Sequence, residues 1–475
     1  MSLSGYREYY RTRMNHWEKI ANLMSTWHGL GGYYHRRLAK IFGFLVQPGL
    51  RVLEIGCGQG DLLAELKPGY GVGVDFSHGM ISQARKKHPG LRFIRANAQE
   101  LPLNTKFDVV IISDLLNDLW DVQGFFTTIC GLLHKRSRII INVYSRLWEI
   151  PLAISEKMNL AKPVLNQNWV TVPDVTNLLN LAGLEVVRTW SEILWPVPTP
   201  ILDKFCNQVL AKFWPFRLLD LTNFIVARPQ PGGEKENATV SVIIPARNEA
   251  GTIRNLIDRI PIMGKETEII FIEGGSLDDT FHLIQQEIHA HPDRPCRLLK
   301  QSNTGKADAI HLGFEQASGD LLMVLDADLT VPPEELPRFF SAIVSGKGDF
   351  INGVRLVYPM EKVAMPFLNM LGNKVFSLLF SWLLGQPVKD TLCGTKVFWR
   401  SDYHSIAGFQ SSWKVKDPFG DFELLFGAAR LNLKIVDMPV RYQQRMYGKS
   451  KTRRWEHGWL LLKMAWVAAR NLKFV

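Results

Sequence analysis

Cysteine is scarce in this chain of 475 residues. The five cysteines are scattered, odd in number and without a C-x-x-C pair: Cys57, Cys130, Cys206, Cys296 and Cys393. Such a set provides neither a disulfide framework nor the ligand spacing of a zinc site. It favours a reducing compartment, and we expect the protein in the cytoplasm.

Long apolar runs are also missing. A membrane-spanning helix needs about 20 consecutive, mostly apolar residues. The nearest stretches are Val363–Leu384, which proline, asparagine and lysine interrupt, and Trp459–Ala469, which is short and contains Lys463. Residues 1–19 are polar and charged and lack the apolar core of a signal peptide. We therefore expect a soluble protein that contacts a membrane, if at all, from its surface.

Acidic residues become rare near the C-terminal end. The formal net charge is +11, and from Arg441 onward nine lysines and arginines accompany a single acid, Glu456. This excess favours phosphate groups or an anionic membrane surface as partners, and a solvated basic tail is the alternative. No nucleic-acid recognition module accompanies the charge, so we expect no nucleic-acid partner.

A linker rich in proline, glycine and charge divides the chain. We place it at 229–238, between a first domain at 1–228 and a second at 239–475, which ends in a basic, amphipathic tail. In both halves β-rich runs alternate with helical stretches, such as 252–260 and 280–290 in the second. The alternation predicts α/β folds, each with a mainly parallel sheet and helices on both faces.

A glycine turn follows the first predicted strand, 51–55. The run from Glu54 to Gly60 reads E-I-G-C-G-Q-G and opens a helix. Glycines permit a positive φ and a close approach of ligand to backbone. The G-x-G-x-G spacing differs from the G-x-G-x-x-G of dinucleotide-binding folds and favours a smaller nucleoside ligand.

Further polar positions end the next strands of the first half. Asp75 ends the second strand, Asn97 and Ala98 follow the third, and Ser113 follows the fourth. Open α/β sheets bind ligands at the carboxyl ends of their strands, where an acid such as Asp75 can hold ribose hydroxyls.

These ordered motifs resemble class I S-adenosylmethionine-dependent methyltransferases over about residues 30–228. The resemblance implies a Rossmann-like fold and S-adenosylmethionine (SAM) as cofactor, with Asp75 on the ribose and Asn97, often Asp in the family, facing the adenine. The residues expected to bind the cofactor are Glu54, Gly56, Gly58, Gly60, Asp75, Asn97, Ala98 and Ser113. A doubly wound domain with a vestigial site is the alternative.

Methyl transfer needs mainly alignment of the acceptor with the sulfonium, so no catalytic base is required by the chemistry. Aromatic residues near the N-terminus could cover the acceptor side, although simple packing is the commoner role for such residues: Tyr6, Tyr9, Tyr10, Trp17 and Trp27.

Two carboxylates, Asp326 and Asp328, end the predicted strand 321–326 in the second half. Carboxylates at i and i+2 can bind one hard divalent cation, and a nucleotide diphosphate can supply more oxygens to it. Such a cation neutralises charge that develops on the leaving phosphate. Polar motifs surround the pair in sequence and include Pro245, Arg247, Glu249, Glu273 and Lys306.

Over about residues 239–455 these motifs are similar to inverting family 2 glycosyltransferases with a GT-A fold. The end of the region, with Gly420-Asp421 and Tyr447-Gly-Lys-Ser-Lys451, is similar to dolichyl-phosphate mannose and glucose synthases and their bacterial polyprenyl-phosphate relatives. Unlike for many of these relatives, we expect no terminal spanning helices in this sequence, and Glu273-Gly274 replaces a usual Asp-Asp pair.

The resemblance implies a role for each matching residue. Asp326 and Asp328 would hold Mg2+ or Mn2+ and be catalytic, and Asp421 would activate or position the acceptor. The nucleotide-sugar donor would contact Pro245, Arg247, Glu249, Glu273, Lys306 and Asp326. The acceptor phosphate would contact Arg441, Arg445, Lys449 and Lys451.

The last predicted helix carries indoles on one face. Trp455, Trp459, Leu462, Trp466 and Ala469 share that face, and a stripe of charged residues recurs every seven positions at Glu456, Lys463 and Arg470. Such a helix can lie in a bilayer interface, and docking on the protein's own core is equally open. Residues 363–384 predict a second surface helix.

The sequence therefore predicts a bifunctional enzyme. One half would transfer a sugar from a nucleotide-sugar to a lipid phosphate or glycan precursor, and the other a methyl group from SAM. Two alternatives stay open: the first half only binds SAM or acts as a scaffold, or the second half is a retaining, phosphoglycerate-type glycosyltransferase. The oligomeric state has no sequence signature here.

Overall fold

The computed structural model describes most of the chain, in the ranges 3–23, 31–230, 232, 237–302, 305–358, 367–410, 417, 420–448 and 454–474. The predictions that involve Trp27, Lys449 and Lys451 lie outside these residues. Two compact units contain nearly all of the chain, Met1–Gln230 and Pro231–Lys473.

The first unit is built on a seven-stranded sheet. Its strands are β1 (Arg51–Ile55), β2 (Tyr70–Asp75), β3 (Arg92–Arg95), β4 (Phe107–Ser113), β5 (Leu133–Tyr144), β6 (Leu184–Glu192) and β7 (Thr222–Pro229). The helices are α1 (Leu3–Leu23), α2 (Gly31–Leu45), α3 (Asp61–Glu65), α4 (His78–Lys87), α5 (Val122–Cys130), α6 (Glu149–Lys157), α7 (Val172–Leu181) and the single turn α8 (Leu202–Lys204).

The strand order β3-β2-β1-β4-β5-β7-β6 places β1 and β4 side by side at the point where the order reverses. Neighbouring strands are parallel from β3 to β5, and β7 runs antiparallel to both β5 and β6. Alternate residues of β1 enter cores on opposite faces: Leu53 and Ile55 on one, Val52 on the other. The predicted mainly parallel, doubly covered sheet is confirmed, and the carboxyl ends of β1 to β4 form a first crevice.

The second unit has its own seven-stranded sheet. Its strands are β8 (Val240–Ala246), β9 (Thr267–Glu273), β10 (Cys296–Lys300), β11 (Leu321–Val324), β12 (Phe350–Val354), β13 (Lys396–Trp399) and β14 (Ile435–Pro439). The helices are α9 (Ala250–Ile253), α10 (Leu256–Arg259), α11 (Thr280–Ala290), α12 (Lys306–Gln316), α13 (Leu336–Val344), α14 (Phe367–Leu384), α15 (Arg400–Gln410), α16 (Asp421–Arg430) and α17 (Arg454–Ala468).

The order β10-β9-β8-β11-β13-β12-β14 again reverses beside the first strand of the unit. The strands from β10 to β11 are parallel, and β13 runs antiparallel to β11 and β12. The carboxyl ends of β8, β9 and β11 form a second crevice. α12 packs closely on the sheet, because a Cβ on Gly313 would lie 2.5 Å from the side chain of Ile243.

Two sequence expectations for this unit need correction. The helix expected at 252–260 is broken into α9 and α10, because Arg254 is extended and Asn255 adopts a left-handed φ of 62°. The strand expected at 321–326 ends at Val324, so Asp326 and Asp328 lie in the turn that follows it. Within the described part of the chain, no helix combines the length and apolar character needed to cross a membrane.

Candidate functional sites

The glycine turn after β1 depends on backbone conformations that favour glycine. Gly56, Gly58 and Gly60 have φ values of 78°, 51° and 77°. A Cβ on Gly60 would also lie 2.5 Å from the ring of Phe93, whereas one on Gly58 would meet nothing within 4 Å. Gly60 therefore allows close packing of the turn, and the open space beside Gly58 allows a ligand to approach the backbone.

Asp75 at the end of β2 is tied to the same turn. Its Oδ2 accepts a hydrogen bond from the Gly58 amide at 3.0 Å, and its Oδ1 accepts one from the Ser77 amide at 2.9 Å. The residue is only 9% exposed, and burial raises the pKa of its carboxyl group to about 6. These two bonds fix the orientation of the carboxylate, whose remaining lone pairs can accept further hydrogen bonds.

Glu54 lies deeper, at 3% exposure. Its Oε2 accepts a hydrogen bond from the Leu63 amide of α3 at 3.0 Å, and burial raises the pKa of its carboxyl group to about 8. The side chain, itself predicted to bind the cofactor, thus joins the strand to the first turn of the following helix.

Helix α1 covers the ends of β2 and β3. The amide of Asn97 donates to the Tyr6 hydroxyl at 2.6 Å, and the Tyr10 ring lies 5.8 Å from that of Phe76. Glu18 accepts hydrogen bonds from the Gly79 amide at the start of α4. The predicted adenine-facing residue is therefore in contact with an aromatic residue of α1, while Ala98 packs against the core.

The turn after β4 contains a cluster that the sequence analysis did not assign. Ser113 and Asp114 are both partly exposed, and Asp114 has a φ of 50°. Asp114 accepts hydrogen bonds from Tyr34 and Asn142. The only sequence signal for this cluster was the pair Ser113-Asp114 at a strand end, since its partners lie far away along the chain.

In the second crevice, Asp326 pairs with Lys306 at the start of α12. The Lys306 Nζ lies 2.6 Å from the Asp326 Oδ1. Burial lowers the pKa of Lys306, but the negative charges of Asp326 and Asp421 outweigh burial and raise the pKa above its usual value. Gly394 packs directly against the pair, because a Cβ there would lie 2.2 Å from the Asp326 Oδ2 and 2.6 Å from the Lys306 Nζ.

Asp328 pairs with Arg445. One guanidinium nitrogen lies 2.6 Å from the Asp328 Oδ2 and the other lies 2.9 Å from the Glu249 Oε1. The second oxygen of Asp328 accepts from the backbone and hydroxyl of Thr330 at 3.1 and 2.8 Å. Arg445, predicted at the acceptor phosphate, therefore lies at the predicted metal and donor residues, while Arg441 is exposed.

The remaining predicted donor residues follow β8 and β9. Pro245 is partly buried within β8, and Arg247 is exposed just after it. Glu273 is buried at the end of β9 and accepts from the Ser276 amide, which shapes the following loop. The Ser276 hydroxyl in turn accepts from the Asn248 amide at 3.0 Å, so the loops after β8 and β9 are joined.

Asp421 begins α16 and is buried, at 3% exposure. Burial raises the pKa of its carboxyl group, and the opposing charges of Lys396 and Lys306 lower it. The Lys396 Nζ lies 3.7 Å from the Asp421 Oδ1 and also donates to the carbonyl of Cys393 at 2.7 Å. Asp421 is thus electrostatically linked to the Asp326–Lys306 pair.

Sequence reasoning missed a buried ion pair that supports this crevice. Arg355 binds Asp390 with two nitrogens, at 2.7 and 2.9 Å, and Asp390 also accepts from the Leu392 amide at 3.0 Å. Despite its burial, the charge of Arg355 lowers the pKa of Asp390 to about 2. The pair holds the segment that ends at Gly394, and the motif Asp390-Thr-Leu-Cys-Gly394 was the available signal.

The residues present fit a divalent cation in part. Asp326 and Asp328 supply carboxylate oxygens, which hard cations prefer, and each already binds a cationic side chain. Across the described ranges, no group of three or more histidine, cysteine, aspartate or glutamate side chains is arranged to hold a metal. A cation at this pair would therefore take its other ligands from a bound diphosphate or water.

Helix α17 has a buried face and an exposed face. Leu461, Met464, Ala465 and Ala468 are buried, as is Ala469 directly after the helix, and α17 packs against α14. The exposed face includes Trp459 at 73%, Leu462 at 51% and Trp466 at 70% exposure. One face of α17 therefore packs on its own unit, while the face that carries Trp459 and Trp466 is exposed. Ala469, predicted on the indole face, is instead buried beside Ala465 and Ala468. The side chains of Trp455 and Glu456 lie outside the described residues.

Comparison with known protein families matches a different family model to each of the two units. A family model described as methyltransferase domain matches residues 47–192, and one described as glycosyl transferase family 2 matches residues 241–412. The protein is a two-domain transferase. Its methyltransferase domain contains the first crevice, and its family 2 glycosyltransferase domain contains the second.

Solved structures similar to the chain include several SAM-dependent methyltransferases. One from Thermotoga maritima is 17% identical with a TM-score of 0.35, covering 46% of this chain and 98% of the other. One from Mesorhizobium loti is 21% identical with a TM-score of 0.32, covering 42% and 100%. Magnesium protoporphyrin IX methyltransferase from Synechocystis is 19% identical with a TM-score of 0.28, covering 38% and 75%.

Proposed function

We propose that the glycosyltransferase domain transfers a sugar from a nucleotide-sugar, with inversion, to a lipid phosphate or glycan precursor, and that the methyltransferase domain uses SAM to methylate an acceptor. The observation that carries the first part is the pairing of Asp326 with Lys306 and of Asp328 with Arg445 at one strand end. The two carboxylates provide ligands for a cation, and the two cationic side chains beside them provide donors for phosphate oxygens.

Each residue of the second crevice then has a task. Lys306 and Arg445 would donate to phosphate oxygens and stabilise the charge of the departing diphosphate. Asp421 would accept a proton from a hydroxyl acceptor, or position an acceptor that is already an anion. Mg2+ or Mn2+ at Asp326 and Asp328 would supply further charge neutralisation at the leaving group.

A screen of nucleotide-sugars tests the donor. The chain is incubated with UDP-, GDP-, TDP- and CDP-sugars and Mg2+ or Mn2+, and release of the nucleoside diphosphate is measured. We expect cation-dependent hydrolysis of one donor and loss of that hydrolysis in Asp326→Asn. Acceptors are then fractionated on the identified donor, and the anomer of the product distinguishes inversion from retention.

In the first crevice, SAM would bind with its ribose at Asp75 and its methionine part along the glycine turn. The support is the orientation of the Asp75 carboxylate by the Gly58 amide and the open space beside Gly58. Calorimetric titration of the protein with SAM and with S-adenosylhomocysteine tests this binding directly. Absence of heat for both ligands in the folded protein would remove the proposal for this domain.

Peripheral membrane contact is part of the proposal. The exposed indoles of α17 are accompanied on the neighbouring α14 by Leu371, Val375 and Leu378, at 48%, 57% and 75% exposure. Indoles and aliphatic side chains beside basic residues such as Lys463 are typical of helices in a bilayer interface.

Vesicle flotation tests this contact, with vesicles of phosphatidylcholine alone or with phosphatidylglycerol. Replacing Trp459 and Trp466 by Gln should reduce the bound fraction several-fold. Ile262→Gln removes a different apolar side chain, at 70% exposure, and should leave the bound fraction unchanged. Equal binding of all three proteins would contradict the interfacial role of α17.

A further inference from the structure

The cluster after β4 has the construction of a site rather than of a simple turn. Asp114 is held with a φ of 50°, a conformation that non-glycine residues rarely adopt and that concentrates at functional sites. Its amide donates to the Asn142 carbonyl at 3.3 Å, which continues the β4–β5 pairing past the strand end. The backbone therefore fixes the direction of this side chain.

Buried donors surround the carboxylate of Asp114. The Tyr34 hydroxyl of α2 lies 3.1 Å from its Oδ1, and the Asn142 amide of β5 donates to the same oxygen at 2.6 Å. The hydroxyl of Tyr144 also interacts with this carboxyl group, and its ring stacks on that of Tyr34 at 5.7 Å. Asn142 is in turn within 3.3 Å of the Thr222 hydroxyl of β7. Tyr34 and Asn142 are buried, whereas Asp114 itself is partly exposed.

The position of Asp114 relative to the glycine turn is the second observation. β1 pairs with β4 up to Ile55 and Ile112, two residues before Asp114. The next residue, Leu115, packs on the turn, because a Cβ on Gly56 would lie 3.1 Å from its side chain. Asp75 adjoins the same turn from the β2 side. Asp75 and Asp114 therefore lie on either side of the glycine turn, at the ends of the two strands that flank β1.

We propose that Asp114 is the general base for methyl transfer, held by Tyr34, Asn142 and Tyr144, and that the methyl acceptor is a hydroxyl group of a glycoside, the class of product that the proposed sugar transfer by the same chain forms. The inference rests on the proposed use of SAM by this domain. The carboxylate takes the proton of the acceptor hydroxyl as the oxygen attacks the methyl carbon. The carbon–sulfur bond breaks, its electron pair stays on sulfur as neutral S-adenosylhomocysteine, and Asp114 later releases the proton to water.

The electrostatics of the cluster suit this role. Burial raises the pKa of the Asp114 carboxyl group to about 7, while the bonds from Tyr34, Asn142 and Tyr144 lower it. Burial and the nearby carboxylate raise the pKa of both tyrosines, so both remain protonated donors at neutral pH. A base with a pKa near the working pH is present in its active form and still takes up a proton effectively.

The experiment measures S-adenosylhomocysteine formed from SAM with octyl glycosides of glucose, mannose, galactose and rhamnose as acceptors. Wild-type protein should methylate at least one of them. Asp114→Asn should lower kcat/KM at least about 100-fold, the usual contribution of a general base, and leave the Kd for SAM within about twofold. Glu65→Gln, at an exposed position of α3, is the matched control and should behave as wild type.

Tyr34→Phe distinguishes a catalytic carboxylate from a structural one. Losing a bond that favours the ionised form should move the midpoint of the rate–pH profile upward by about one unit, with the maximal rate retained. The inference is overturned if Asp114→Asn keeps the wild-type rate, if it loses SAM affinity in parallel with rate, if Tyr34→Phe leaves the midpoint unchanged, or if no glycoside is methylated. Failure of wild-type protein to bind SAM would instead remove the proposed function itself.

Discussion

The two crevices are both at the carboxyl ends of strands, yet they hold their carboxylates in different ways. In the methyltransferase domain, Asp75 and Glu54 accept hydrogen bonds from backbone amides. In the glycosyltransferase domain, Asp326 and Asp328 are bound to the cationic side chains Lys306 and Arg445. A carboxylate bound by backbone amides keeps a fixed orientation and can still accept from neutral donors, whereas one paired with a lysine or arginine side chain can exchange that partner for another charged group.

The largest effect should come from the charged crevice. Asp328→Asn removes a negative charge that Arg445 and a bound cation would share, so we expect sugar transfer to fall roughly 100- to 1000-fold. SAM binding should be unchanged, because Asp328 belongs to the other domain. Donor hydrolysis and SAM calorimetry on the same preparation measure both. Asp293→Asn makes the same substitution at an exposed site, and parallel loss of both activities in folded Asp328→Asn would break the two-site comparison.

In the other crevice, Asp75→Ala should weaken SAM binding about 10- to 100-fold, since it removes charged hydrogen bonds worth roughly 1.5–3 kcal/mol. Donor hydrolysis should remain at the wild-type rate. Isothermal titration with SAM gives the affinity, and circular dichroism checks the fold. An unchanged Kd for SAM would contradict the assignment of Asp75 to the ribose.

A substitution that adds only a methyl group tests whether the position of the Asp326–Lys306 pair matters for sugar transfer. Gly394→Ala would place a Cβ 2.2 Å from the Asp326 Oδ2 and 2.6 Å from the Lys306 Nζ, so the ion pair must move. We expect about a tenfold loss of sugar transfer, in keeping with a displacement of catalytic groups by about an ångström or less. Gly372→Ala on α14 meets nothing within 4 Å and should be silent. Equal rates for both variants would show that the position of the pair does not matter.

The smallest effect on activity should come from the buried carboxyl group of Glu54, whose titration instead makes stability depend on pH. Burial raises the pKa of Glu54 to about 8, above its unfolded value near 4.3. The folded state then binds more protons than the unfolded state between these values, so stability falls as pH rises through them. Glu54→Gln removes this loss, which amounts to about 3–4 kcal/mol between pH 5 and pH 8, so its melting temperature relative to wild type should rise by roughly 10 °C over that range. A pH-independent difference would argue that Glu54 titrates normally.

Much of both sites is visible in the sequence, because local patterns determine it. Gly56, Gly58 and Asp75 were recognisable as a glycine turn and an acid at neighbouring strand ends, and Asp326 with Asp328 as a spaced pair. Strand–helix alternation likewise predicted the two sheets. These features need only the periodicity of strands and the rule that parallel strands end at one edge.

The remainder depends on contacts between distant residues. Arg445 meets Asp328 and Glu249, which precede it by 117 and 196 residues. The Asp114 cluster joins α2, β5 and β7, and the antiparallel insertion of β7 beside β5 brings Thr222 to Asn142. Strands β12, β13 and β14 were not predicted, and β13 begins with a buried lysine, Lys396, whose ammonium group contacts Asn352, Cys393 and Asp421.

The pairing of Arg445 with Asp328 has a consequence for ligand uptake. If a metal–diphosphate complex entered the proposed donor site, Asp328 would hold the metal and Arg445 would donate to a phosphate oxygen, so both side chains would exchange their present partner for a ligand group. The number of opposite-charge contacts changes little, so the affinity should depend only weakly on ionic strength. The resting protein would meanwhile keep its acidic pair neutralised and would not attract stray cations.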